Sequence, residues 1–232
     1  MTKQELTIKG IPSILWGDKS DKIYIYVHGK MSCKEEAQDF AAIASEKGYQ
    51  VLSFDLPEHG ARKNESYACD VWNGVHDLCL IGEFVKQNWG EVNLFACSLG
   101  AYFSLMAYKD YPFDNCLFHS PILDMVQLIQ NMMKWFNISE EMLKDKQRIP
   151  TPMGEILDWE YYCYVKENPV KQWDAPTAIL YGSEDNLTDR YVIDEFVKNY
   201  EVELTVMQGS EHYFHTEEQL NFARQWLMKY II

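Results

Sequence analysis

The stretch FACSLGA, residues 95–101, decides how this chain of 232 residues folds. It continues an apolar run, 92–97 (VNLFAC), with the length and composition of a buried strand, and leads into a helical stretch, 101–109. A strand and a helix joined by so sharp a turn lift the turn's side chain, Ser98, above the carboxyl end of the strand. The strand and helix can approach only if the residues two before and two after the serine are small. Here they are Ala96 and Gly100. The competing reading is a serine that caps an ordinary helix.

Outward from this turn, strand and helix patterns alternate. Residues 6–9 and 11–16 read as an opening antiparallel pair, and 23–27 (IYIYV) as a buried strand ending in His28-Gly29. A helix over 35–47 carries Ala37, Phe40, Ala41 and Ala44 at helical spacing, with Gly48 as its stop. Further strands are expected over 50–54, 115–119, 177–181 and 202–207. A helix over 70–89 buries Val71, Val75, Leu78, Cys79, Val85 and Trp89, and a final helix shows the stripe Leu220, Ala223, Trp226, Leu227, Tyr230. Strands separated by helices predict an α/β fold: a mostly parallel twisted sheet of about eight strands with helices on both faces. No strand is evident over 122–173. That stretch reads as a helical cap insertion within a single domain, 1–232.

Composition narrows the function. The formal charge of −14 repels phosphate backbones and anionic lipid, so neither nucleic acid nor a membrane surface is expected as a partner. No long apolar run is present and 1–10 lack an apolar core, so neither a membrane span nor a secretory signal is expected. Six cysteines form no C-x-x-C pair and no zinc spacing. They read as free thiols in a reducing, cytoplasmic setting, with no metal and no cofactor.

The elbow and three further motifs, met in order, resemble the α/β-hydrolase superfamily, in particular its small bacterial serine esterases, over nearly the whole chain. Ala96 departs from the family's usual glycine. YVHGKM, 26–31, resembles the loop that supplies one oxyanion-hole N–H, which falls here on Lys30, with Met31 second; the other donor is the N–H of Leu99. The family has an apolar residue at 30. Lysine there either faces solvent or biases the site toward an anionic substrate. FDLPEHGAR, 54–62, resembles a structural loop with Glu58 in place of a glycine, which leaves Asp55 and His59 without a catalytic role. LYGSEDNLTD, 180–189, places the family's acid at Asp185, with Asp189 and Asp124 as rivals. QGSEHYFHT, 208–216, places the base at His212, with His215 as rival, and an H-x-x-H metal site lacks a third ligand. The order Ser98, Asp185, His212 is the one expected for this fold. His119 reads as a hydrogen-bonded structural histidine, and Cys97 as a buried thiol pointing away from the site.

By this resemblance the insertion caps the nucleophile. Its methionines and aromatics, with Met31, supply an apolar pocket of Met31, Met125, Met132, Trp135, Trp159 and Tyr162. The expected activity is a carboxylesterase acting on a small-molecule ester with a short to medium, apolar or aromatic acyl group. A thioesterase or carbon–carbon bond hydrolase would use the same triad, and a non-catalytic ligand-binding protein is the alternative from another class. Oligomeric state is not encoded legibly.

Overall fold

The computed structural model describes residues 1–232. Two antiparallel strands, β1 (Lys3–Ile8) and β2 (Ile11–Trp16), open the chain. The alternating part follows: β3 (Lys22–Val27), α1 (Gln38–Glu46), β4 (Gln50–Phe54), α2 (Val71–Asn88), β5 (Glu91–Cys97), α3 (Leu99–Ala107) and β6 (Cys116–His119). Next come α4 (Met125–Trp135), α5 (Glu140–Lys146), the short strands β7 (Arg148–Pro150) and β8 (Ile156–Asp158), and α6 (Trp159–Glu167). The alternation resumes with β9 (Thr177–Gly182), α7 (Arg190–Asn199), β10 (Val202–Met207) and α8 (Glu217–Tyr230).

Eight strands form one sheet in the order β1-β2-β4-β3-β5-β6-β9-β10, parallel from β4 to β10. The fold class expected from the sequence is therefore the one found. Strand β5, which carries the elbow, is central. Side chains alternate across it: Leu94 and Ala96 face the larger apolar cluster, and Phe95 faces a second one beneath α1 and α8. With both faces covered, the strands read as continuous apolar runs.

Between β6 and β9 lie three helices, as a helical insertion requires, and an unexpected antiparallel ribbon, β7–β8. Three-residue strands, one ending in Pro150, leave no period to detect. The last helix also differs from expectation. Leu220 is 53% exposed, whereas Gln219 is buried with Trp226. Gln219 completes a capping box with Thr216, and this fixes the helix phase. Among the cysteines, Cys116 is buried but Cys79 is exposed. No helix is long and apolar enough to cross a membrane.

Candidate active site

Ser98 sits between β5 and α3 at φ 50°, ψ −118°. A non-glycine residue in this region costs roughly 1–3 kcal/mol, and the surrounding bonds hold it there. Ser98 N–H donates to His119 O (3.1 Å), and Ser98 O accepts from Ala101 N–H (3.0 Å) and Ile122 N–H (3.2 Å). Serine does not cap the helix with its side chain. Gly100 permits the turn: a Cβ there would lie 2.4 Å from His28 O and 2.8 Å from Val27 O.

The Ser98 hydroxyl faces His212 Nε2 at 2.8 Å, and His212 Nδ1–H donates to Asp185 Oδ2 at 2.8 Å. The other Asp185 oxygen accepts from Leu187 N–H (2.8 Å) and Thr188 N–H (2.9 Å), which leaves the carboxylate no freedom to turn away. Its side chain is fully buried. The loops bearing the two residues are stitched together. Ser183 N–H donates to Met207 O, Glu184 N–H to Ser210 O, and Gly209 N–H to Ser183 Oγ. A Cβ on Gly182 would lie 2.3 Å from Ser210 O, so the close approach of the loops requires glycine.

The rivals lie elsewhere. Asp124 caps α4 through Gln127 N–H, and Asp189 accepts from Gln127 Nε2 and Asn131 Nδ2. His215 holds the Tyr213 carbonyl and precedes the cap of α8.

Gly29 brings the loop after β3 against Ser98: a Cβ on it would lie 3.2 Å from Ser98 Cβ. Neither the N–H of Lys30 nor that of Leu99 donates to another backbone group, so both are free to meet an oxyanion. Met31 N–H is occupied, donating to His59 Nε2 at 3.0 Å. His59 Nδ1–H donates to Pro57 O, so this histidine is a neutral acceptor toward Met31. His28 works alike: Nδ1–H donates to Gly29 O, and Nε2 accepts from Leu56 N–H. Asp55 binds Lys34 N–H, Lys34 Nζ and Ala61 N–H. The loop of 54–62 is thus the bed on which the loop after β3 lies, tied to it through Asp55 and His59. Glu58 takes φ 60° and accepts from Cys69 N–H at 2.7 Å.

Two expectations need correction and a third is refined. Lys30 does face solvent, but not as a free cation: its ammonium pairs with Glu155 at the turn of the β7–β8 ribbon. His119 is not satisfied. Its Nε2 is buried without a partner, its ring abuts Phe214 at 4.7 Å, and burial, followed by His212, pushes it down to about 4. The apolar pocket is not assembled as expected. Met31 is 93% exposed and Trp135 44% exposed, each turned to solvent. Tyr162 is buried, bonded to Gln130 and Glu140, and Trp159 packs on it at 6.0 Å. Met125 and Met132 pack into the main core. Met125 also lines a cavity of about 140 Å³ with Tyr102, Leu123 and Phe196, which neither Ser98 nor His212 lines. Apart from Met31 and Trp135, these residues chiefly pack the insertion onto the larger core of the sheet.

Cys97 is half-buried, and burial together with the Asp185 charge pushes its thiol up to about 12. Glu155 had no sequence signal, standing 125 positions from Lys30.

No protein-family model matches the sequence, and no curated protein matches it. Solved structures do. A provisionally named hydrolase from Agrobacterium vitis S4 superposes with TM-score 0.81 at 16% identity, over 100% of this chain and 99% of that one. Est1E from Butyrivibrio proteoclasticus, solved with ferulic acid bound, gives 0.74 at 17% identity, over 98% and 99%. Mouse alpha/beta hydrolase domain-containing protein 10 gives 0.76 at 13% identity, over 99% and 98%. The fold is the α/β-hydrolase fold.

Proposed function

We propose that this α/β-hydrolase-fold protein is a serine hydrolase that cleaves a carboxylic ester through an acyl-enzyme on Ser98. The observation that carries the reading is the unbroken chain Ser98 Oγ, His212 Nε2, His212 Nδ1, Asp185 Oδ2, with 2.8 Å at each hydrogen bond, beside two unengaged N–H groups. A serine hydroxyl is a weak nucleophile alone. His212 removes its proton as Oγ attacks the ester carbon, and Asp185 holds the imidazole in the required tautomer and stabilises the imidazolium. The carbonyl oxygen becomes an oxyanion facing Lys30 N–H and Leu99 N–H. His212 then protonates the leaving alcohol. Water, deprotonated by the same imidazole, releases the acid and restores Ser98.

The intact triad argues against a binding protein without catalysis. A fluorophosphonate probe tests the reading: the folded protein should label, and Ser98→Ala should not. A folded wild type that takes no label would turn the assignment toward ligand binding alone.

A further inference from the structure

Lys30 follows Gly29 in the loop after β3 and carries a full charge one residue from the closest approach of that loop to Ser98. Its backbone N–H is an oxyanion donor in the reading above, and Gly29 before it lies against Ser98. An unopposed ammonium there would attract substrates with a carboxylate on the acyl chain. It is opposed: Glu155 reaches from the turn between β7 and β8 to pair with Lys30 Nζ. Glu155 is itself held by the ribbon, its carbonyl accepting from Thr151 N–H at 2.7 Å. Both side chains are partly exposed, 44% for Lys30 and 30% for Glu155, so the pair lies at the surface and not in the core. Two more carboxylates stand near. Glu58 binds Cys69 N–H, and Asp70 follows Cys69 in the chain. The Cys69 thiol, pushed up to about 12 chiefly by burial, senses Lys30, Glu58, Asp70 and Glu155 together. One cation and three carboxylates thus share the neighbourhood of Cys69.

We propose that Glu155 is a specificity-determining residue: by neutralising the Lys30 ammonium beside the oxyanion hole, it confines the enzyme to esters whose acyl chains carry no negative charge. The inference rests on the ester-hydrolase reading of Ser98. The pair also ties the ribbon to the oxyanion loop, and this tie is lost equally whichever partner is removed. Charge preference separates the two roles, because removing Glu155 adds positive charge to the site and removing Lys30 adds negative charge.

The test compares kcat/KM for 4-nitrophenyl hemisuccinate and 4-nitrophenyl butyrate, an anionic and a neutral acyl chain of equal length. In Glu155→Gln the anionic-to-neutral ratio should rise about three- to tenfold, and in Lys30→Met it should fall by a similar factor, both shifts shrinking in high salt. The double variant Lys30→Met/Glu155→Gln should return near the wild-type ratio. Shifts in the same direction in the two single variants, or ratios that stay within twofold while the wild type is active, would overturn this inference alone. A wild type inert toward both esters would remove the hydrolase reading and this inference with it.

Discussion

His212 and His215 are three residues apart, yet only the first touches Ser98, because the capping box at Thr216 commits His215 to the approach of α8. His212→Ala should therefore lower kcat by roughly 10⁴-fold or more, and Asp185→Asn by about 10³- to 10⁴-fold through the wrong tautomer. His215→Ala should stay within about threefold of wild type, as expected of a residue outside the reacting unit. Steady-state hydrolysis of 4-nitrophenyl butyrate measures all three; an inactive His215→Ala would transfer the base assignment. At this scale the sequence was largely readable. Glycine-bounded turns after apolar strands leave few positions for an acid or a base, and the motifs named Ser98, Asp185 and His212. It was not readable where a partner lies far along the chain. Lys30 is the clearest case, since nothing near residue 30 announces Glu155. His119 shows a different limit: its place at a strand end is legible, but its lack of a hydrogen-bond partner depends on Phe214, from another element.

The loop after β3 and the loop after β4 behave as one unit. Two neutral histidines and one carboxylate join them, through Leu56 N–H to His28, Met31 N–H to His59, and Lys34 to Asp55. Met31, at φ 62°, is held in that left-handed conformation by its bond to His59. His59→Ala should lower kcat roughly 10- to 100-fold with KM little changed, since the loss falls on oxyanion stabilisation. Stability should drop by about 0.5–1.5 kcal/mol for the lost Met31–His59 hydrogen bond. Stopped-flow or steady-state rates together with urea titration measure both; a rise in KM alone would mean that His59 serves binding and not the transition state. Elements with a strong period were legible. The buried runs of β3, β5 and β9 could be little else. The β7–β8 ribbon was not, being too short for a period and held by pairing instead. The pocket aromatics misled for a related reason: Tyr162 and Trp159 carry the same composition whether they face a substrate or pack against α4 and α5.

Across the whole molecule, two buried imidazoles, His28 and His119, are both pushed from 6.5 down to about 4, chiefly by burial. In the unfolded chain each returns to its ordinary value. Between about pH 6.5 and pH 4 the unfolded state therefore binds more protons, and stability falls as pH falls through that window. Above it, the titration of neither histidine changes stability. Urea midpoints measured from about pH 7 to about pH 4.5 should decline steadily, and His119→Leu should remove about half of the slope. An unchanged slope in that variant would assign the loss to other groups. The sheet has one more consequence. Strands β6 and β9 pair directly, Cys116 with Thr177 through His119 with Leu180, so the ladder closes beneath everything that lies between them in sequence. Recombination at those two borders would exchange the whole intervening segment without breaking a rung. A lineage could thus trade one substrate repertoire for another while inheriting its chemistry intact.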